Sequence, residues 1–391
     1  MPRFRPFRAL RYAADDLAVV TAPPYDVLSR ADVEALAAQS AHNIVHVDVP
    51  LEGEDRYQRA AAQLRAWRAD GVLVGDDVPS FTLYRLRFPD ATGTLRDLVG
   101  VLGGLEVVDE GAGGVLPHER TTPKASTDRL DLTRATRANL SPVWGLSLAS
   151  GLTALLREPG EVLGRVQDGD VEHVVERVTD PERLAAIEAV VASDDVLIAD
   201  GHHRYAVSRT YRDEVRAATG GSAGLAEETL AFVGELVPDQ LSVAAIHRLY
   251  RDVDADGLRA ALRRRFELAP VASPDVETLA ALAADGVLTL VEPDAAWRMT
   301  PRPGAFDGVR SLDGSWLETS LADLAVTVDY QHGVAETVAA VSAGTAVAAV
   351  LIRPVSVEEI QRTAREGLLM PPKSTFFTPK LKTGLVIRPL D

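Results

Sequence analysis

The chain has 391 residues, of which 46% are hydrophobic and 25% are charged, and its mean hydropathy is +0.01. This composition is typical of a globular protein and excludes a disordered, collagen-like or coiled-coil chain. The formal net charge of −16 disfavours a general nucleic-acid-binding surface, and the absence of cysteine excludes disulfides, thiolate nucleophiles and cysteine-ligated metals.

Helix and strand patterns alternate along the first 250 residues. Ser29 is an expected N-cap, followed by helical apolar spacing, and segment 81–88 alternates as a strand does. Helices are predicted over 29–39, 57–69 and 203–218 and after Lys124, and strands over 81–88, 97–108, 195–199 and 230–236. We therefore predict an α/β fold of the α+β type with a mixed sheet.

The second half of the chain is predicted to contain an accessory segment, followed by residues that belong to the core. Segment 251–329 has a helical pattern at 257–265 and a strand near 287–291, without clustered catalytic residue types. Beyond it, Tyr330-Gln331-His332 is predicted to open a helix, 345–352 to form a strand and 356–367 a helix. The predicted core is 1–250, completed by 330–391, with 251–329 as an accessory α/β lobe or insertion.

No segment favours a membrane location. The longest weakly polar stretch, 338–352, is shorter than the roughly 20 apolar residues that a membrane span needs. The N-terminus is basic but lacks the apolar region of an export signal. We expect a cytoplasmic protein with no membrane partner; the sequence does not give its oligomeric state.

The first polar cluster follows the predicted strand at 97–108. His118, Glu119, Arg120 and Thr121 lie between Pro117 and Pro123, and Lys124 follows directly. Its basic side chains can gather a phosphate, and Glu119 can accept a proton from a hydroxyl. For the arginines of the helix that follows, we favour a solvated helix face, because exposed charge pairs are common and weak.

The strongest local signal is a short apolar strand that leads through Asp200-Gly201-His202-His203-Arg204 into a helix. Gly201 permits a tight turn, and a helix that begins there presents N–H groups and the positive end of its dipole to an anion. Arg204 can add a bidentate contact, and either histidine can donate a hydrogen bond or move a proton. The alternatives are a metal site of Asp200, one histidine and His118, or a purely structural turn.

The few lysines of the chain are concentrated near its C-terminus. Of 41 basic residues, 37 are arginine, and Lys373, Lys380 and Lys382 are three of the four lysines. Lysine supplies a compact point charge that the planar arginine fork does not reproduce. Prolines, hydroxyl side chains and aromatic residues separate these lysines, which is unusual for a fraying terminus. We expect this segment to fold back as a strand or loop beside the histidine cluster.

Four ordered motifs carry a resemblance that spans nearly the whole chain. They are Pro23-Pro24-Tyr25-Asp26-Val27, His118-Glu119-x-Thr121, Asp200-Gly201-His202-His203-Arg204-Tyr205 and Met370-Pro371-x-Lys373-Ser374-Thr375-x-Phe377-x-Pro379-Lys380. In these motifs the chain resembles the bacterial family called domain of unknown function 1015. The Asp-Gly-His-His-Arg element looks like the phosphate-binding element of the ParB/sulfiredoxin-like group, which includes kinases acting on free serine. The resemblance implies a ParB/sulfiredoxin-like phosphate-binding core.

These observations lead to one hypothesis and two alternatives. The hypothesis is an enzyme for a small phosphorylated metabolite, a phosphotransferase of the kinase type that uses ATP or ADP with Mg²⁺ and phosphorylates a serine-like hydroxyl. The alternatives are a metal-dependent phosphohydrolase and a non-catalytic nucleotide or metabolite sensor. The expected catalytic residues are Glu119, His118, His202 and Asp200, with Asp200 also holding Mg²⁺; the expected phosphate- or nucleotide-binding residues are Gly201, His203, Arg204, Arg120, Thr121, Lys124, Lys373, Ser374, Thr375 and Lys380.

Overall fold

The structure is a computed structural model that describes residues 1–91, 93–119, 126–272 and 274–391. The chain divides into two compact units. The first unit comprises Met1–Ser242 and Pro379–Asp391, and the second unit comprises Val243–Thr378. Residues 330–378, which the sequence groups with the core, therefore belong to the second unit.

The strands of both units are short to medium in length. In chain order they are β1 (Phe4–Arg5), β2 (Leu10–Tyr12), β3 (Leu73–Gly75), β4 (Phe81–Pro89), β5 (Leu95–Glu106), β6 (Val115–Pro117), β7 (Ala138–Asn139), β8 (Val143–Ser147), β9 (Glu161–Asp168), β10 (Val171–Val178), β11 (Val196–Asp200), β12 (Glu228–Glu235), β13 (Ser242–Ala244), β14 (His247–Arg251), β15 (Phe266–Val271), β16 (Leu288–Glu292), β17 (Ala295–Pro301), β18 (Thr327–Gln331), β19 (Ala348–Leu351), β20 (Phe376–Thr378) and β21 (Arg388–Pro389).

The helices vary in length from one turn to five. In chain order they are α1 (Arg30–Gln39), α2 (Val45–Asp48), α3 (Arg56–Ala69), α4 (Ser126–Thr136), α5 (Leu152–Leu156), α6 (Pro181–Val191), α7 (His202–Thr219), α8 (Ala255–Arg263), α9 (Val276–Asp285), α10 (Asp313–Leu321), α11 (Val334–Ser342) and α12 (Val357–Arg365). Within the described part of the chain, no helix combines the length and the apolar character that crossing a membrane requires.

A mixed sheet forms the centre of the first unit. Its strand order is β6-β11-β8-β12-β5-β4-β10-β9, and β1 pairs with β5. The β6–β11 and β8–β12 pairs are parallel, whereas the other pairs of this sheet are antiparallel. Helices α5 and α6 pack on one face, where Leu152 and Ile187 are buried with Phe81 and Ile198. The predicted α/β class with a mixed sheet is confirmed.

Two glycines of β5 make room for aromatic rings in the sheet. A Cβ atom at Gly100 would lie 2.3 Å from the ring of Phe232, and one at Gly103 would lie 2.5 Å from the ring of Phe4. Ordinary Cβ contacts do not come this close, so any larger residue would displace a buried ring. The glycine-interrupted pattern of this strand therefore reflects aromatic packing.

The C-terminal segment, residues 379–391, completes the first unit. Its strand β21 pairs with β7, and isolated bridges connect Thr383 to Ala22 and Ile387 to Leu10. Arg388 is 1% exposed and donates hydrogen bonds to the Glu228 carboxylate and to the carbonyls of Leu225 and Glu228. Residues 379–391 fold back onto the first unit, as predicted, whereas residues 370–378, which the same prediction included, belong to the second unit.

The second unit has its own sheet, with the strand order β15-β17-β16-β19-β14-β18. Strands β18 and β19 both pair with β14, which is why residues after 330 group with this unit. The sequence predicts that Tyr330-Gln331-His332 opens a helix, and this prediction is wrong. Tyr330 and Gln331 lie in β18, where they pair with Arg248 and His247 of β14. Helix α11 begins only at Val334, after Gly333, which has a positive φ.

The predicted helix starts are confirmed where a polar cap precedes them. Ser29 accepts a hydrogen bond from the Asp32 N–H, and the Asp32 carboxylate accepts from the Ser29 N–H in return. Ser356 caps α12 by accepting from the Glu359 N–H. These capping contacts satisfy N–H groups that an isolated helix end leaves unpaired, so the local sequence is sufficient to define both starts.

Candidate functional site

The candidate site is at the turn between β11 and α7. Strand β11 ends at Asp200, and Gly201 has φ +83°, a left-handed conformation that glycine adopts without a Cβ penalty. Helix α7 then runs for 18 residues to Thr219 and is capped by Gly220, which has φ +71°. The helix begins at His202, one residue before the predicted start, so its positive end faces the turn.

Asp200 binds two cations at once. Its Oδ1 accepts from the Lys380 ammonium at 2.8 Å, and its Oδ2 accepts from Arg204 Nη2 at 2.6 Å. Burial alone raises the pKa of the Asp200 carboxyl, but Lys380 and Arg204 outweigh burial and lower that pKa to about 2. Asp200 therefore stays ionised at physiological pH and is a poor proton acceptor.

His118 comes to this turn because β6 runs parallel to β11. The pairing of Pro117 with Ile198 places the next residue, His118, at the end of β11. Its ring is 1% exposed, and Nδ1 is 2.5 Å from the Ile198 carbonyl oxygen, which can only accept. Burial lowers the pKa of His118, so the ring is neutral with its proton on Nδ1. Its Nε2 atom thus carries the lone pair.

Glu119 and His202 complete the polar surroundings of His118. A Glu119 carboxylate oxygen lies 3.8 Å from His118 Nε2, and the Glu119 side chain is 14% exposed. The ring centroid of His202 lies 4.9 Å from that of His118, with the rings inclined at 47°. A carboxylate and two imidazoles are therefore grouped beside the Asp200 ion pairs, which gives this end of the sheet both proton-accepting and cationic groups.

The structure brings together only part of the predicted site. Asp200, Gly201, His202, His203, Arg204, His118, Glu119 and Lys380 all belong to the first unit, and the first five are consecutive. Lys373, Ser374 and Thr375 belong to the second unit. Arg120, Thr121 and Lys124 lie outside the described residues.

The second-unit lysine lies on a braced loop. Lys373 is exposed and has φ +56°, a left-handed conformation that side-chain-bearing residues seldom adopt. Arg248, which is 5% exposed, donates to the Lys373 carbonyl at 3.0 Å, and the Ser374 hydroxyl donates to the Pro371 carbonyl at 2.7 Å. Strained backbone that is held in this way recurs in functional loops.

Sequence analysis missed a cluster next to Arg204. The Arg129 guanidinium lies 4.2 Å from the centre of the Tyr25 ring and donates to the Asp48 carbonyl at 2.7 Å. Its side chain is 11% exposed, so the predicted solvated face is wrong for Arg129, because α4 packs this residue inward. For Arg134, which is 45% exposed and pairs with Glu214, the prediction is confirmed. The Pro23-Pro24-Tyr25-Asp26 motif was the one available signal for this cluster.

The described residues do not form a preorganised metal-binding site. Within that part of the chain, no group of three or more histidine, aspartate or glutamate residues is arranged to hold a metal ion. Both oxygens of Asp200 already accept from cationic groups. Mg²⁺ is commonly held by one or two carboxylates together with substrate phosphates, so a metal here would depend on oxygens that arrive with a ligand.

Replacing Gly201 by alanine tests the geometry of this turn. We expect a loss of about 1–2 kcal/mol of stability from the left-handed backbone, and a Cβ 3.0 Å from Arg204 Cζ would displace the guanidinium. Gly220→Ala is the matched control, because it imposes similar strain at the other end of α7 with no atom within 4 Å of the added Cβ. Calorimetry with inorganic pyrophosphate should show weaker binding for Gly201→Ala alone. Equal binding by both variants would contradict a role for this turn in anion binding.

The fold and the site define an α/β protein whose mixed sheet presents a carboxylate, shared by two cations, at a strand–helix turn. The chain belongs to the family described as protein of unknown function (DUF1015), whose family model matches residues 4–315. No curated protein matches the chain significantly.

Several solved structures are similar to parts of the chain at low sequence identity. A conserved hypothetical protein from Pyrococcus furiosus has 12% identity and a TM-score of 0.39, covering 70% of this chain and 92% of its own. A free serine kinase in complex with AMP has 13% identity and a TM-score of 0.39, covering 70% and 89%. SbnI from Staphylococcus aureus, truncated at its C-terminus, has 13% identity and a TM-score of 0.39, covering 74% and 87%. A likeness of this extent carries no statement about activity.

Proposed function

We propose that the first unit transfers a phosphoryl group from ATP or ADP to a serine-like hydroxyl. The observation that supports this most directly is the sharing of Asp200 by Lys380 and Arg204 at the start of α7. Phosphoryl transfer depends mainly on positioning and on neutralising charge on the phosphate oxygens. Two cations and a helix N-terminus at one turn supply both requirements.

The turn offers a phosphate three kinds of favourable contact. The first N–H groups of α7 point out of the helix, and its dipole favours negative charge there. Arg204, whose outer nitrogens donate to Asp200 and to the Pro142 carbonyl, contributes its positive charge beside the phosphate, and Lys380 adds a compact point charge. Asp200 holds these two cations in place while the site is empty, and an incoming phosphate then competes with Asp200 for them.

In the proposed step, the acceptor hydroxyl oxygen forms a bond to the terminal phosphorus as the bridging P–O bond breaks. The hydroxyl proton goes to the Glu119 carboxylate, and the electron pair of the broken bond goes to the nucleotide oxygen that leaves. Lys380 neutralises the charge that develops on the transferred group and on this oxygen. His118, neutral and buried beside Glu119, holds no net charge that would oppose the proton transfer.

Mg²⁺ enters this proposal through the nucleotide. When bound, it would supply charge neutralisation between the phosphates, with Asp200 as the available protein oxygen ligand beside the turn. Because Lys380 and Arg204 already occupy both Asp200 oxygens, we expect the metal to bind only together with the nucleotide. The proposed roles of Glu119, Lys380 and Arg204 do not depend on a contact between Asp200 and Mg²⁺.

Lys380→Met tests the proposal directly. Incubation of the wild-type protein with ATP or ADP, Mg²⁺ and serine should yield phosphoserine, and the variant should lose roughly 10²- to 10³-fold in kcat, as when one charge-stabilising donor is removed. Lys382→Met is the matched control, since Lys382 lies on the same segment but pairs with Asp168 instead. We expect this control to keep its activity within a few fold.

The outcomes of this assay separate the competing functions. No phosphoserine from the wild type, under conditions in which a control kinase is active, would overturn the proposal. Release of phosphate from a phosphorylated metabolite without nucleotide would indicate a phosphohydrolase instead. Nucleotide binding that raises the melting temperature without any turnover would indicate a sensor.

A further inference from the structure

Tyr330 and His332 present aromatic rings at the surface of the second unit. Tyr330 lies in the edge strand β18, and His332 follows directly after this strand. Tyr330 is 39% exposed and is the one exposed tyrosine, phenylalanine or tryptophan in the described part of the chain. His332 is exposed as well. The phosphoryl transfer proposed for the first unit uses neither residue.

Each of these two rings packs against another side chain on one face. The Arg248 guanidinium lies 4.8 Å from the centre of the Tyr330 ring. The Phe376 ring is stacked on His332, with the ring centres 3.9 Å apart and the planes inclined at 18°. Because Tyr330 and His332 are nevertheless exposed, the accessible area of each ring lies at its edges and on its opposite face. Both rings therefore have a fixed orientation and offer a face to a ligand.

One short segment, residues 371–376, supports both rings. Arg248 is 5% exposed and donates to the Lys373 carbonyl at 3.0 Å and to the Ile246 carbonyl at 2.6 Å. Phe376 lies three residues after Lys373 in the same segment, which the hydrogen bond from the Ser374 hydroxyl closes into a turn. The two rings are thus ordered before a ligand arrives, and binding does not have to order them.

The charges near the rings favour a ligand with an anionic group. Arg248 lies behind one ring, and the exposed Lys373 belongs to the segment that Arg248 contacts. Of the acidic residues close to the rings in sequence, Asp329 pairs with Arg251 at 2.5 Å, and Glu336 is at the start of α11. A cation behind an aromatic ring also draws electron density away from its outer face, so that face favours a second, electron-rich ring.

We propose that this surface binds the planar heteroaromatic ring of a mononucleotide, which stacks against Tyr330 and His332 and places its phosphate at Lys373. Nucleobases stack on aromatic side chains whatever their identity, and each such contact supplies a large part of the affinity. The net charge of −16 disfavours a polynucleotide, so the ligand is a single nucleotide. All residues of this surface belong to the second unit, and the inference does not depend on phosphoryl transfer.

Titration of the protein with adenosine, AMP and ribose 5-phosphate tests the inference. The Lys380→Met variant is used, so that phosphate binding at the turn of the first unit contributes little. Stacking should shift the adenine H2 and H8 protons of adenosine and AMP upfield in proton nuclear magnetic resonance spectra, and AMP should bind more tightly. The absence of this shift with both ligands would overturn the inference. Binding of ribose 5-phosphate, which has no heteroaromatic ring, as tightly as AMP would overturn it as well.

Three substitutions in the same protein separate stacking from charge. Tyr330→Leu should weaken adenosine and AMP by about 10-fold or more, as expected when one stacking partner is lost, whereas Tyr330→Phe keeps the ring and should bind almost as well as the parent. Lys373→Met should reduce the affinity for AMP to that for adenosine and leave adenosine unchanged. Equal weakening by Tyr330→Leu and Tyr330→Phe would contradict stacking, and an equal effect of Lys373→Met on both ligands would contradict the phosphate contact.

Val271→Ser is the matched control for Tyr330→Leu. Val271 is 42% exposed and lies in β15, the strand at the opposite edge of the same sheet. Both variants change an exposed side chain on an edge strand, so both should fold, but only Tyr330→Leu should lose adenosine binding. Equal loss in the two variants would assign the effect to the stability of the unit and would contradict the inference.

The inference and the proposed function fail in different experiments. Adenosine binding that depends on Tyr330, together with no phosphoserine from the wild-type protein, would retain this surface and remove phosphoryl transfer. Formation of phosphoserine without any upfield shift of adenosine would retain phosphoryl transfer and remove this surface.

Discussion

Asp200→Asn is expected to lower the free energy of unfolding by about 3 kcal/mol, because removal of one partner leaves buried charges uncompensated. Lys380 and Arg204 would then face each other across a neutral amide. Equilibrium unfolding in urea measures the loss. Inorganic phosphate should restore part of it, since an anion bound at the turn replaces the missing charge.

The pH dependence of stability gives an independent measure of the same ion pairs. The Asp200 carboxyl has an ordinary pKa of 3.8 when unfolded and about 2 when folded. Its contribution, about 2 kcal/mol, is therefore fully present above pH 3.8 and is lost as the pH falls through about 2. Asp200→Asn should lack this acid-sensitive contribution.

Asp168→Asn is the control for both measurements. Asp168 also pairs with a lysine of the C-terminal segment, Lys382 at 2.6 Å, but its side chain is 54% exposed. Exposed ion pairs are screened by solvent, so we expect a loss below about 1 kcal/mol. If Asp168→Asn destabilised the protein as much as Asp200→Asn, the shared carboxylate would not be the special feature of the site.

A second large effect is expected from His173 as the pH is lowered. The ring is 3% exposed, and its Nδ1 accepts from the Tyr84 hydroxyl at 2.7 Å. Burial, assisted by the nearby charge of Lys382, lowers the pKa of His173 from 6.5 to about 4. Between these values the unfolded chain binds a proton that the folded chain does not, so stability falls as the pH falls from 6.5 to 4. The full loss is about 3 kcal/mol.

His173→Gln tests this expectation because an amide oxygen can accept from Tyr84 without titrating. Unfolding free energies at pH 7 and pH 5 should differ less for this variant than for the wild type. His247, buried in the second unit with a pKa also lowered to about 4 by burial, supplies a separate part of the wild-type dependence. An unchanged difference between the two pH values in His173→Gln would contradict the assignment. A nuclear magnetic resonance titration of the His173 ring checks the pKa itself.

Local sequence patterns predicted the elements around the site because the relevant interactions are local. Ser29 and Asp32 cap α1 within four residues, and the strand, Gly201 and α7 are contiguous. The return of Lys380 to this turn was predicted from composition, since lysine is rare in the chain. The pattern of helices and strands did not identify Asp200 as the partner of Lys380, because Asp200 lies 180 residues earlier in the chain.

The predictions that did not hold involve long-range packing. Arg129 lies on the same helix as Arg134, but only the tertiary arrangement of α4 against the Tyr25 motif buries Arg129. Likewise, Tyr330 lies in β18 because it pairs with Arg248, more than 80 residues away. Asp48, in a single-turn helix, carried no recognisable signal before its contacts were known. Side chains whose role is set by distant partners are thus the ones that patterns miss.

The first unit is discontinuous along the chain, since residues 379–391 complete what residues 1–242 begin. During synthesis on the ribosome, the large N-terminal part emerges long before the residues that pair with it. Glu228 must wait for Arg388, and Asp200 for Lys380, until the second unit and the segment after it have been made. The nascent protein can therefore complete its cationic site only after the intervening unit has been synthesised.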